Sequence, residues 1–226
     1  MIGIYGGTFN PIHSGHLRAA EEVVDALELA RMVFVPSARP PHKEGDEGII
    51  APARQRLAWV ELAIQGNARF CVDAIEVDRP GPSYLVDTLE ALSQRFADEE
   101  LVFVVGRDAF CEMGSWRSPR ALFAACHIAV TSRPPVVGGQ LAEWLPECAR
   151  ADFELAPDGL SGRHLSAGTW IRQLEITALD VSATAIRERL AQGAPVDHMV
   201  PPAAHAAIVA SQCYNDPSPG VAPGDR

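Results

Sequence analysis

Two histidines, in the stretch His13-Ser14-Gly15-His16, follow closely on a paired glycine, Gly6-Gly7. Imidazole N–H groups can donate hydrogen bonds to phosphate oxygens, and glycines let a backbone approach a ligand because they carry no Cβ. Met1 to Tyr5 is a short apolar run of the kind that forms a buried strand, Gly6-Gly7 ends it, and Pro11 fixes a turn. From Ser14 onward, Leu17, Ala20, Val23, Val24 and Leu27 recur at helical spacing. The histidines therefore fall at the mouth of a strand–loop–helix unit. Open first-turn N–H groups and the positive end of the helix dipole point to the same place, which makes it a phosphate site.

Three other stretches carry chemistry. In Val181-Ser-Ala-Thr-Ala-Ile-Arg187, Ser182 can cap a helix, the N–H groups of Ala183 and Thr184 can meet an anion, and Arg187 can clamp phosphate oxygens through two parallel bonds. On its own this segment reads as a routine capped helix. Pro40-Pro-His-Lys43 holds the only lysine of the chain, against eighteen arginines, in a loop stiffened by its prolines. Trp116, in Gly114-Ser-Trp-Arg117, reads by itself as a partly buried core residue. Asp108 follows Gly106-Arg107 at a strand end, where it can cap the next helix, face a ligand, or both.

The elements that must position these residues alternate along the chain. Met32–Pro36, Leu101–Val105 and His127–Thr131 are apolar runs suited to strands covered on both faces. Phe70–Asp78 fits one or two further strands, and Asp152–Leu155, Thr169–Leu174 and Thr177–Val181 read as short extended pieces. Helices are expected near 51–65, 84–96, 120–125, 141–149, 182–192 and 201–213, with 157–167 a loop. Strands alternating with helices imply an α/β, Rossmann-like, doubly wound parallel sheet with a small helical C-terminal part, and ligands at the carboxyl ends of the strands. A single domain is expected over 1–213, its helical subdomain near 182–213, and an unstructured tail over 214–226, which is rich in Pro, Gly and Asp.

Composition sets limits. The 226 residues are 47% hydrophobic and 21% charged, as in an ordinary globular domain. No apolar run is long enough to span a membrane, and no signal-peptide start is present, so a cytoplasmic protein is expected. Five scattered cysteines without a CxxC pair argue against a zinc site or disulfide framework. A formal net charge of −10 argues against a broad nucleic-acid surface. A few placed cations must then do any phosphate handling.

The string from Gly6 to His16 resembles the signature of the nucleotidylyltransferases that carry an HxGH motif. In detail it is similar to the bacterial nicotinate (nicotinamide) mononucleotide adenylyltransferases, many of which have Asp where this chain has Asn10. Ser182 to Arg187 resembles that family's SSTxIR motif, with Ala183 for the second Ser. Pro40 to Lys43 resembles its PPHK loop, and Ser83-Tyr-Leu-Val-Asp-Thr-Leu89 its SYTxDTL segment, with Leu85 for Thr. The resemblance covers residues 1 to about 210. It implies that ATP and nicotinate mononucleotide give a dinucleotide and pyrophosphate.

The resemblance also implies roles. His13, His16 and Arg187 would act on the ATP phosphates. Gly6, Gly7, Thr8, Phe9, Gly106, Asp108, Ser182 and Thr184 would bind ATP. Lys43, Tyr84, Leu85, Trp116 and Arg133 would hold the mononucleotide, with Trp116 stacked on the pyridine ring. Mg²⁺ would accompany the triphosphate through phosphate oxygens and water, with no protein metal cage. The attacking group is a phosphate monoester, mostly dianionic near neutrality because its second pKa is about 6, so no general base is required.

Rival readings are another nucleotidylyltransferase on the same site, such as a phosphopantetheine enzyme, or a nucleotide-binding regulator without turnover. A synthetase-like fragment is disfavoured by the absence of a KMSKS-like lysine motif. The sequence leaves open the choice between acid and amide acceptors and any homo-oligomer.

Overall fold

The computed structural model describes residues 1–39, 50–132, 139–177 and 179–215. Its first half runs β1 (Ile2–Gly7), α1 (Ser14–Ala26), β2 (Met32–Pro36), α2 (Ala53–Ile64), β3 (Phe70–Val72), α3 (Ile75–Asp78) and α4 (Leu85–Arg95). It continues with β4 (Leu101–Gly106), α5 (Arg107–Glu112), a 3-10 turn at Met113–Ser115, α6 (Pro119–Ala125), β5 (His127–Ser132), α7 (Leu141–Trp144) and α8 (Glu147–Arg150). The last elements are β6 (Phe153–Leu155), β7 (Ser161–His164), β8 (Trp170–Glu175), α9 (Ala183–Ala191) and α10 (Pro202–Ala210).

Eight strands form one sheet in the order β3-β2-β1-β4-β5-β8-β7-β6. The first six are parallel to their neighbours, and β6 and β7 add an antiparallel edge. The alternation of side chains explains why the central strands read as continuous apolar runs. Met32, Phe34, Val102 and Val104 join the core on one face, with Val23, Val60 and Ile208. Ile4, Val33, Val35, Phe103 and Val105 join the core on the other, with Leu89 and Phe123. Helices cover both faces, so the apolar run of each of these strands is buried, and exposure begins only at the carboxyl ends of β1 and β4.

Several expectations are corrected. β1 does not stop at Tyr5: Gly6 and Gly7 are its last two residues, paired with Val35 and Pro36. The segment after Val72 is a helix, because Asp73 Oδ1 accepts the Ile75 N–H at 2.9 Å and turns the chain out of the sheet. The helix expected over 141–149 is two single turns, since Pro146 has no N–H to continue it and Leu145 is extended before it. The loop expected over 157–167 contains β7. Its turn closes through the Leu160 N–H on Asp158 Oδ1 and the Ala156 N–H on the Ser161 carbonyl, both 2.9 Å. No strand forms among the described residues of 177–181.

The expected tail begins too early. Tyr214 is buried: its hydroxyl donates to Asn10 Oδ1 at 2.6 Å and its ring lies 6.0 Å from that of Trp59. Residues 216–226 lie outside the described set. No helix among the described residues is long and apolar enough to cross a membrane.

Candidate active site

The carboxyl ends of β1 and β4 open onto the loops that carry the motifs. His13 is the N-cap residue of α1, and its ring stacks on that of His16 at 3.6 Å between centroids. The His13 backbone N–H donates to His16 Nδ1 at 3.2 Å. In the neutral imidazole this leaves the proton on Nε2. Gly15 is required by close approach. A Cβ there would crowd the His13 ring, at 3.1 Å from its Nδ1, and would sit in ordinary contact with the Val181 carbonyl oxygen at 3.7 Å, so the two signatures meet at this position.

Phe9 sits at φ 46°, a left-handed conformation costly for a non-glycine residue. That backbone folds its ring back, edge-on to His16 at 5.1 Å and to Tyr5 at 5.8 Å. Gly7 leaves the space, since a Cβ there would meet the Phe9 ring at 3.0 Å. Phe9 is thus a buried brace, not a side chain facing a ligand. The expectation of open N–H groups at the start of α1 is corrected in part. The Ser14 N–H is already given to the Met199 carbonyl and that of His16 to the His13 carbonyl, both at 2.9 Å. Side chains therefore dominate this end.

The second signature meets the first. Ser182 caps α9, its Oγ accepting the Ala185 N–H at 3.1 Å. Arg187 donates through Nη1 to the Asn10 carbonyl at 2.9 Å and through Nη2 to Thr184 Oγ1 at 3.2 Å. Those bonds pin the guanidinium beside the loop that precedes the histidines. Asn10 has a different role from a charge beside phosphate: its Oδ1 accepts from the Ala51 N–H and from the Tyr214 hydroxyl.

Next to the histidines lies a cavity of about 300 Å³. Gly6, Gly7, Thr8, Tyr84, Leu85, Gly106 and Trp116 line it together with Tyr5 and Phe103. Tyr5 joins the two regions, because its ring also meets the edge of His16 at 6.2 Å. Trp116 is half-buried, stands edge-on to Phe103 at 6.4 Å and lines the cavity. The Arg117 guanidinium covers the Tyr84 ring at 4.6 Å. Asp108 lies apart: its side chain is 91% exposed and pairs with Arg107. It is not the cap of α5, which begins from Gly106, but a first-turn acid. Lys43 and Arg133 lie outside the described residues.

Two charged residues of this region escape a reading of the sequence. Arg56 is fully buried and donates to three carbonyls: Ala51 at 2.8 Å, Ala38 at 3.3 Å, and Thr8. It thereby ties the glycine loop to both flanks of residues 40–49. The available signal is its place four residues before Val60, on the apolar face of α2. Glu76, only 6% exposed, also lines the cavity and accepts from the Thr88 hydroxyl at 2.8 Å. Alternation within 70–78 reads as strand and gives no sign of it.

The cytidylyltransferase-like family model matches residues 4–189. A protein of Geotalea uraniireducens (strain Rf4), curated as "Probable nicotinate-nucleotide adenylyltransferase", is 40% identical over 215 residues, 95% of this chain and 98% of its own length. One of Pseudomonas putida (strain W619) with the same name is 41% identical over 218 residues, 96% of each chain. In fold, the chain resembles the Plasmodium falciparum nicotinic acid mononucleotide adenylyltransferase complexed with NaAD, with a TM-score of 0.70 at 14% identity, covering 95% of this chain and 97% of that one. The chain belongs to the cytidylyltransferase-like family, and within it to the nicotinate-nucleotide adenylyltransferases.

Proposed function

We propose that this chain transfers the adenylyl group of ATP to the phosphate of nicotinate mononucleotide, releasing pyrophosphate and forming the dinucleotide. The observation that carries the reading is the meeting of the two phosphate signatures, at Gly15 and Val181 and at Arg187 and Asn10, beside an aromatic-lined cavity. The triphosphate lies along the α1 and α9 ends. The pyridine ring enters the cavity against Trp116 and Tyr84, where a flat pyridinium gains stacking and cation–π attraction.

The attacking phosphate is already an anion, so the protein's work is positioning and charge neutralisation. Two polyanions must be brought together in line, which removes much of the entropic barrier. His16 Nε2–H donates to the phosphate region, where charge grows as the pyrophosphate leaves, and Arg187 supplies a fixed cation on the opposite side. Lys43 and Arg133 add cations on the mononucleotide side, a role suggested by their motifs. Among the described residues no group of three or more His, Cys, Asp or Glu could hold a metal ion. Magnesium would enter with its nucleotide, as MgATP, held by phosphate oxygens and water. The five free cysteines are compatible with a reducing compartment such as the cytoplasm.

Pyrophosphate release should be measured with ATP and each of nicotinate mononucleotide, nicotinamide mononucleotide and phosphopantetheine. Turnover with a pyridine mononucleotide and none with phosphopantetheine is expected. Turnover with phosphopantetheine alone, or with none of the three, would reject the reading.

A further inference from the structure

We propose that Glu76 is the residue that reads the 3-substituent of the pyridine ring, donating a hydrogen bond to a nicotinate carboxylate when protonated and accepting one from a nicotinamide carboxamide when ionised. The inference rests on the adenylyl-transfer reading above and concerns its acceptor.

Glu76 is more than nine-tenths buried and forms part of the wall of the cavity that holds Tyr84, Leu85 and Trp116. One carboxyl oxygen, Oε1, is fixed by the Thr88 hydroxyl at 2.8 Å, and Arg79 fixes Thr88 in turn at 3.0 Å. The other oxygen, Oε2, is buried without a direct hydrogen bond among the described residues, and the Ser83 hydroxyl, whose oxygen accepts the Ala38 and Arg39 N–H groups, is a neighbour of the carboxyl. A carboxyl oxygen removed from water and left unpaired is costly, so a ligand group or a bridging water that satisfies it is favoured. The ring pocket is the space it borders. Leu85 cannot supply a hydroxyl for this purpose, and of the polar residues that line the cavity, Thr8, Ser37, Ser83, Tyr84, Glu112 and Arg117 among them, Glu76 is the one that is buried.

The charged and titratable groups around it act in opposing directions. Burial raises the Glu76 carboxyl above its ordinary range, against the Thr88 hydrogen bond, the neighbouring Ser83 hydroxyl and the cations Arg79 and Arg56. Glu112 and Arg117 line the same cavity with opposite signs, beside the Tyr84 phenol. Asp73 and Asp78, at the ends of the same short helix, are engaged by Arg95 and Arg54. A carboxyl held above its usual range stays neutral at a pH where an exposed one is ionised. The neutral form can share its proton with a carboxylate, whereas the ionised form repels a carboxylate and welcomes an amide N–H₂. The choice of acceptor then depends on pH.

The test is the ratio of kcat/KM for nicotinate mononucleotide to that for nicotinamide mononucleotide, measured from about pH 5.5 to about pH 9. Ionisation of the mononucleotide phosphate affects both acceptors alike and cancels in the ratio. In the unaltered enzyme the ratio should fall as pH rises, by roughly tenfold or more, because like charges in one pocket oppose each other. In Glu76→Gln the side-chain carbonyl keeps the Thr88 bond and the amide donates at every pH. The ratio should then be flat with pH and higher than in the unaltered enzyme at the alkaline end. A flat ratio in the unaltered enzyme, or a variant ratio that still falls, overturns the proposal. Should the variant fail to fold, the profile of the unaltered enzyme alone decides. No turnover of either mononucleotide would instead reject the adenylyl-transfer reading itself.

Discussion

At the phosphate end, His16 and Arg187 are each held by a backbone group. The His13 N–H fixes one imidazole nitrogen, and the Asn10 carbonyl holds the guanidinium. At the ring end, the cavity is walled mainly by side chains against side chains: Trp116 on Phe103, Arg117 on Tyr84 and Thr88 on Glu76. The first arrangement fixes donors in direction before any ligand arrives, which suits the stabilisation of charge in a transition state. The second offers shape and a polarisable surface, which binds ground state and transition state alike. Phosphate-end substitutions should therefore act on kcat, and ring-end substitutions on KM for one substrate.

His16→Ala should produce the largest effect. It removes an oriented donor and the ring on which His13 stacks, and a loss of about 10²–10³ in kcat is expected. Steady-state kinetics with both substrates, alongside circular dichroism to confirm the fold, would measure it. Near-normal kcat would remove the difference between the two ends. Trp116→Ala should act more weakly and elsewhere. Loss of an aromatic contact of about 0.5–1.5 kcal/mol predicts a KM for the mononucleotide raised roughly 2- to 13-fold, with KM for ATP little changed. Equal changes in both KM values would mean that the ring end is not a separate compartment.

The same contrast explains what was legible in the sequence. The phosphate end is built from consecutive residues, so local spacing displays it: Gly15 is small because the His13 ring crowds it, and Ser182 caps the helix that bears Arg187. β2 was legible to its bounds because both its faces are buried and its residues are apolar throughout. The ring end is assembled from β1, α4, β4 and the turn after α5, and no local pattern announces that these meet. Glu76 and Arg56 are the sharpest cases. Their burial is decided by chain segments far away in sequence, and a charged residue in a short motif reads as solvated. β7 was missed for a related reason. Ser161-Gly-Arg-His164 has no apolar alternation of its own, and its partners Phe153–Leu155 and Trp170–Arg172 supply the reason for it to extend.

The smallest expected effect tests how far the bracing of the phosphate end reaches. The Tyr214 hydroxyl donates to Asn10 Oδ1 at 2.6 Å across 204 residues of chain, and the carbonyl of the same Asn10 holds Arg187. Burial pushes the Tyr214 phenol well above its ordinary pKa, so the hydroxyl keeps its proton and remains a donor throughout the working range. Tyr214→Phe deletes that donor while the ring stays packed near Trp59. Asn10 Oδ1 is not orphaned, because the Ala51 N–H still donates to it at 3.0 Å. The cost should therefore fall at the lower end for a buried hydrogen bond, about 1 kcal/mol in urea unfolding, rather than the larger penalty of an unsatisfied acceptor. If the bond also steadies the Asn10 backbone, kcat should fall slightly, with both KM values and the acid-to-amide ratio unchanged. A variant that loses stability but keeps full kcat would show that the bracing ends at Asn10 and does not reach Arg187.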